Sequence, residues 1–338
     1  MVGSSLIRMS PTTVSAMEAI RGAVRTCLEK LEPGAKIIVA CSGGADSLAL
    51  SYALAKEAPK LAIEVMGITI DHQLQSGSGQ QAARTIEQLA AMGISRSQVI
   101  KVKVELTDGM EASARRARYL ALAQAARNYG GARVFLGHTQ DDQAETVLLG
   151  LARGSGTRSL SGMAAQSGIY LRPLLGATRA QSLAACAEVN LTPWSDPQNQ
   201  DQSFLRVRLR TQAIPVLESA IGPGIALALA RSAGLARDDA DALDEWANRE
   251  FGALKPDSLE IKPLQGLPRA VRTRIFRLAI YAAGAPSGSL SVDHVLAVEA
   301  LVTNWSGQGE VSLPGGVKAR RISGRLSLLP PPVTKREA

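Results

Sequence analysis

Lys36-Ile37-Ile38-Val39-Ala40-Cys41 runs directly into Ser42-Gly43-Gly44-Ala45-Asp46-Ser47, and Leu48 to Ala55 follows as a mostly apolar stretch. Branched apolar residues make 36–41 a buried strand, and 48–55 reads as a helix packed back on the sheet. Two glycines at the strand-to-helix turn permit positive φ and let a ligand approach the backbone. Unpaired N–H groups at the helix start, with the Ser42 and Ser47 hydroxyls, suit an anionic phosphate. Asp46 fits such a cradle only with a divalent cation between carboxylate and phosphate, so the turn reads as a nucleotide site that works with Mg²⁺. The competing reading is a glycine turn with no ligand, which short glycine motifs often are. No G-x-x-x-x-G-K-[ST] element is present, which sets aside a Walker-type loop.

Outward from this turn, strand and helix signals alternate over the first two hundred residues. Ile63 to Ile70, Val99 to Val104 and Arg133 to Leu136 read as strands, and Gln80 to Met92 and Glu111 to Asn128 as helices. This alternation predicts an α/β fold with a doubly wound parallel sheet, whose ligands sit beyond the carboxyl ends of the strands. Ser42, Asp71 and His138 all follow strand ends and are expected to share one crevice. Beyond the proline-bearing connections at 193–200 and 215–223 the pattern changes. Helical signals dominate 224–251, 268–283 and 291–305, followed by short strands at 309–313, 317–322 and 325–329 with glycine turns between them. The expected organisation is an N-terminal tail over 1–14 and a nucleotide-binding catalytic domain over 15–215. A helical linker with a second, smaller α+β domain spans 216–330, and a charged tail spans 331–338.

With 338 residues the chain is long enough for two cores. No apolar stretch approaches the length of a membrane span, and the first thirteen residues lack the apolar core of a signal peptide. A cytoplasmic protein with no membrane partner is the expectation. Cys27, Cys41 and Cys186 form no C-x-x-C pair, which argues against a disulfide framework, a zinc knuckle or an iron–sulfur site. The net charge of +8 favours a polyanionic partner, and arginines cluster at 115–118, 206–210 and 269–277.

Three segments carry candidate chemistry. In Gly137-His138-Thr139-Gln140-Asp141-Asp142-Gln143-Ala144-Glu145-Thr146, Asp142 and Glu145 stand three apart and share a helical face. They suit an ammonium group or Mg²⁺, and equally an N-capping arrangement around Asp141 or Asp142. Glu111 and Arg115 stand four apart, either as an ordinary helix ion pair or as part of a site. Arg206, Arg208 and Arg210 alternate with Val207 and Leu209, so on a strand they form one charged face suited to phosphate.

Ser42 to Ser47 resembles the PP-loop of the ATP pyrophosphatases. Asp71-His72-Gln73-Leu74, Glu111 to Tyr119, G-H-x-x-D-D-Q-x-E-T, Arg153-Gly154-Ser155-Gly156, Leu160 to Met163 and Arg172-Pro173-Leu174-Leu175 follow it in order. The ordered series over about 36–210 resembles the tRNA(Ile)-lysidine synthetases. That resemblance implies a ligase that adenylates C2–O of the wobble cytidine in the CAU anticodon of tRNA(Ile). Free L-lysine then displaces AMP to form lysidine, so that AUA is read as isoleucine. It implies ATP held by Ser42, Gly43, Gly44, Ala45, Asp46, Ser47 and His138, with Asp46 placing Mg²⁺. His138 and Asp141 are implied beside the reacting phosphate, Arg115 as the group that steadies developing charge, and Asp46 as a further catalytic residue. Asp142 and Glu145 are implied to hold lysine, while Glu111, Arg115, Arg206, Arg208 and Arg210 meet the RNA substrate. It also admits a homodimer. Gln75 and Val207 depart from the family's usual arginine and asparagine. Other PP-loop enzymes, such as a tRNA thiolase, and a non-catalytic tRNA-binding protein are the alternatives.

Overall fold

The computed structural model describes residues 14–75, 77–105, 109–154, 156–286 and 288–330. The tail expectations for 1–13 and 331–338, and Ser155 of the 153–156 motif, lie outside the described residues. The chain divides into two compact units, up to Gly234 and from Leu235.

The first unit is built on the strand that opens the motif. β1 (Lys36–Ala40) lies between β2 (Glu64–Asp71) and β4 (Arg133–Leu136), parallel to both. β3 (Ser97–Lys101) extends the sheet beyond β2, and β6 (Tyr170–Leu171) with antiparallel β5 (Gln166–Ser167) extends it beyond β4. The order is β3-β2-β1-β4-β6-β5, so the chain leaves β1 on one side and returns on the other. A crevice opens where the winding reverses, between the carboxyl ends of β1 and β4.

Alternation along β1 feeds two apolar layers. Ile37 and Val39 pack with α1 (Ala16–Leu28), α2 (Ala45–Glu57) and α3 (Ser78–Met92). Ile38 and Ala40 face Leu122, Ala125 and Ala126 of α4 (Met110–Asn128). Strands buried on both faces read as continuous apolar runs, as 36–41 does. α1 starts at the Ser15 cap, and the Glu188 carboxylate accepts the amides of Ala16 and Met17 at 2.9 Å. α5 (Gln140–Ala152), the short α6 (Thr157–Leu160) and α7 (Arg179–Glu188) follow β4 and β6. α8 (Leu205–Arg208) continues through a π-helical turn (Leu209–Ala213) into α9 (Ile214–Ile221). Arg206, Arg208 and Arg210 are therefore helical and do not form the single charged face that a strand would give them; the period of two in the sequence is overridden by tertiary pairing of Arg206 and Arg210.

The units divide within α10 (Ile225–Gly252). The second has its own antiparallel sheet of order β7-β10-β9-β8, built from β7 (Ser258–Glu260), β8 (Val311–Ser312), β9 (Lys318–Ile322) and β10 (Arg325–Leu329). α11 (Ile261–Gly266), α12 (Arg269–Ala282) and α13 (Val292–Thr303) supply Ile275, Phe276, Val298 and Leu301 to a core shared with Leu326 and Leu328. Ser323 and Gly324, both at positive φ, turn β9 into β10 as a two-residue hairpin requires. No single helix among the described residues is long and apolar enough to cross a membrane.

Candidate active site

A cavity of about 760 Å³ opens at the carboxyl ends of β1, β2 and β4. The turn 42–47 forms one wall. The Ser47 hydroxyl donates to the Gly44 carbonyl (2.9 Å) and accepts the Ser42 amide (3.1 Å), which curls the turn around the start of α2. Gly43 has φ +83°, and its carbonyl accepts the Trp194 amide at 2.8 Å. The opposite wall depends on Gly137: a Cβ there would lie 3.0 Å from the Asp46 carbonyl, so only glycine lets the β4–α5 loop press on α2. That contact brings His138 into the cavity beside the turn.

The alternatives left open by the motif around 138–146 resolve residue by residue. Asp142 caps α5 through Oδ2, which accepts the Thr139 amide at 2.8 Å, while its Oδ1 faces Arg179 at 3.5 Å and Arg210 at 4.0 Å. Asp141 does not line the cavity; its Oδ2 accepts the Arg179 amide at 2.8 Å and caps α7. Glu145 also lies behind the cavity wall, fully buried. Arg210 Nε reaches its Oε1 at 2.7 Å and Arg206 its Oε2 at 3.4 Å. The carboxylate expected to hold lysine is thus engaged by two arginines of the 205–213 segment. Arg206 also meets Glu111 at 3.0 Å. Arg208 turns to the carbonyls of Gln202 and Ser203.

Arg115 does not line the cavity either. Its guanidinium lies 4.9 Å over the Tyr119 ring and donates to that hydroxyl at 3.2 Å. Arg118, one helical step further round, lines the cavity instead and was missed in the sequence. The signal was the stripe Ala114, Arg118, Leu122 and Ala125, whose apolar members are buried or half-buried and mark the inward face. Arg179 and Trp194 are cavity residues that no motif singled out. Gln75 and Val207, which stand in place of the family's usual arginine and asparagine, both line the cavity, and Gln75 Nε2 donates to Asp196 Oδ1 at 3.1 Å.

Electrostatics sort the titrating groups. Burial pushes the Asp46 carboxyl up, opposed by Arg179 and Ser182. Burial likewise raises Glu145, opposed by Arg210. His138 is pushed down to about 2, by burial first and then by Arg118, Arg172, Arg115 and Arg206. Its Nδ1 is buried without a hydrogen-bond partner among the described residues. The imidazole is expected to remain neutral from pH 8 to pH 5 in an ¹⁵N NMR titration; a midpoint near 6.5 contradicts this. Because the unfolded chain takes up that proton first, stability falls as pH drops below about 6.5 toward the folded-state value.

Among the described residues no cluster of three or more His, Cys, Asp or Glu could hold a metal by itself. Mg²⁺ needs less, since one or two carboxylates suffice when substrate phosphates complete its shell. Asp46 fits: Oδ1 is buried and makes no hydrogen bond among the described residues.

Residues 17–217 match the family model described as a PP-loop domain, and 259–327 match the TilS substrate binding domain. The chain is 48% identical over 309 residues to the tRNA(Ile)-lysidine synthase of Thermobifida fusca, covering 91% of this chain and 95% of that one. It is 52% identical over 295 residues to the tRNA(Ile)-lysidine synthase of Streptomyces coelicolor, covering 86% and 84%. Among solved structures, the U34-tRNA thiolase NcsA of Methanococcus maripaludis, with its [4Fe-4S] cluster, aligns with a TM-score of 0.54 at 17% identity. It covers 64% of this chain and 77% of that one, a likeness of fold.

Proposed function

This chain belongs to the tRNA(Ile)-lysidine synthase family, and from that premise we propose that it joins free L-lysine to C2 of the wobble cytidine in the CAU anticodon of tRNA(Ile). It is an ATP-using, tRNA-modifying ligase of the PP-loop type. In the first half-reaction the cytidine O2 attacks the α-phosphorus, the Pα–O–Pβ bond breaks, and pyrophosphate leaves with the electron pair. In the second, the deprotonated lysine amine attacks C2 and AMP departs with the former base oxygen. The amide-like oxygen is a poor leaving group until it carries AMP, which is why ATP is required.

Each role follows from local chemistry. The amides and hydroxyls of 42–47, at the start of α2, suit the triphosphate. Asp46 would hold Mg²⁺, which supplies charge neutralisation at the phosphates when bound. His138, neutral and lining the cavity, suits a hydrogen bond beside the α-phosphate rather than proton transfer, since its imidazole is pushed far below the working pH. Arg118, not Arg115, suits steadying the developing charge, since it is the arginine of α4 that reaches the cavity. Asp142 Oδ1 is the acceptor suited to the lysine ammonium, while Glu145 acts indirectly by anchoring Arg206 and Arg210. Arg206 and Arg210, which line the cavity, are suited to the RNA phosphates or base. A cytoplasmic setting and a homodimer complete the reading.

The observation that carries it is the meeting of the 42–47 turn, His138 and Asp142 in one cavity at the reversal of the sheet. A thiolase would ask for reactive cysteines, yet Cys41 and Cys186 are buried and burial raises both thiols. The test is incubation with ATP, Mg²⁺ and unmodified tRNA(Ile), with and without labelled lysine. Lysine label in the tRNA with AMP release is expected. AMP without label overturns lysine as the nucleophile, and no AMP overturns the ligase.

A further inference from the structure

Arg179 opens α7, and its side chain, about 30% exposed, lies between Asp46 and Asp142, two of the carboxylates that line the cavity. Nε is 3.5 Å from Asp46 Oδ2, and a terminal nitrogen is 3.5 Å from Asp142 Oδ1. Nε makes no hydrogen bond among the described residues, so the pairing is coulombic and leaves hydrogen-bonding capacity unused. Its backbone is fixed by contrast: the amide donates to Asp141 at 2.8 Å, directly after the Thr178 cap. A rigid root under a loosely held guanidinium is a geometry that permits a change of partner.

The turn 42–47 contains hydroxyls and amides but no cation, and its only charge is the negative one of Asp46. The β- and γ-phosphates concentrate negative charge there, and still more develops as pyrophosphate departs. Arginine matches phosphate oxygens with a two-pronged fork. Of the other three cavity arginines among the described residues, Arg206 and Arg210 are tied to Glu145, Arg210 standing a further 4.0 Å from Asp142 Oδ1, and Arg118 is the one assigned above to the developing charge at the reacting centre.

We propose that Arg179 is a shared counter-ion that shifts from Asp142 to the β- and γ-phosphates of ATP and thereby exposes Asp142 to the lysine ammonium. The inference rests on the ligase reading above. It makes nucleotide and lysine binding reciprocal, since an ammonium entering beside Arg179 is repelled until phosphate draws the guanidinium away. It also orders the reaction, with nucleotide preceding the amine.

Calorimetric titration of lysine, with and without the non-reacting analogue α,β-methylene-ATP plus Mg²⁺, tests this. The unaltered protein is expected to bind lysine at least tenfold more tightly with the analogue. Arg179→Gln is expected to bind lysine equally with and without it, and to bind the analogue at least tenfold more weakly. Arg179→Lys, which keeps the charge without the fork, should recover part of both effects. Because the Asp141 contact uses the backbone, the melting temperature of R179Q should stay within a few degrees of wild type, which keeps the comparison valid. Unchanged analogue affinity in R179Q, or nucleotide-dependent lysine binding that survives in it, overturns the proposal. A protein that labels tRNA with lysine but shows no coupling overturns this inference alone. One that binds nucleotide but never lysine overturns the ligase reading with it.

Discussion

Gly43→Ala is expected to lower ATP-dependent AMP formation by about 10²-fold or more, the scale of effect that a displacement of about 1 Å produces in a positioned reactant. Two independent strains act at this position. The backbone has φ +83°, which costs an L residue about 1–2 kcal/mol. A Cβ would lie 2.7 Å from Thr85 Oγ1 and 2.9 Å from Gln81 Nε2, both on α3. Gln81 can swing aside, but Thr85 is fully buried with its hydroxyl donating to the Gln81 carbonyl, so the turn is pushed away from α3, and with it the Gly43 carbonyl that holds the Trp194 amide. Gly44 is the internal control. It has φ −74°, and an added Cβ would meet only Ser42 Oγ, at 3.7 Å. Gly44→Ala should therefore leave the fold intact, and any loss it shows measures how closely the ligand approaches the backbone. Wild-type AMP formation by Gly43→Ala overturns the account of the turn.

The sequence was most readable where one local pattern had one structural solution. The run 36–41 could only be a strand buried on both faces, and its glycine turn located the cavity. Ser323-Gly324 was likewise legible, because two consecutive positive φ values need a residue pair of that kind. The errors came where partners distant in sequence decided the outcome. Arg206-Val207-Arg208-Leu209-Arg210 has strand periodicity, yet Arg206 and Arg210 are also four apart, and buried Glu145 selects the helical spacing. Asp141 was read as chemistry because nothing local reveals that α7 starts against it. Arg115 and Arg118 differ by three positions, so the choice between them rested on the phase of α4. The buried residues Leu122 and Ala125 fix that phase, and they favour Arg118. β7, three residues long, carried too little pattern to be found.

Glu145→Ala is expected to lower the stability of the first unit by about 3 kcal/mol and the melting temperature by roughly 6–12 °C. The carboxylate is fully buried, and removing it leaves Arg206 and Arg210 without their counter-charge. Those arginines are 28% and 25% exposed, so solvent relieves part of the cost and the value sits at the low end for a broken buried pair. Activity separates the anchoring role from direct lysine binding. If Glu145 bound lysine, its loss would raise the KM for lysine and leave the adenylation of tRNA unaltered. As an anchor of the 205–213 segment, it should affect adenylation too, because both arginines line the cavity through which the cytidine enters. Glu145→Gln keeps the shape and part of the hydrogen bonding without the charge, and should fall between wild type and alanine in both readouts. Asp142→Asn provides the contrast: its expected signature is a raised lysine KM with smaller thermal loss, since only Oδ2 caps α5 and an amide oxygen can still accept that bond. Glu145→Ala with an unshifted melting temperature and a defect confined to lysine would return Glu145 to the ammonium site, and would require Arg206 and Arg210 to leave it during turnover.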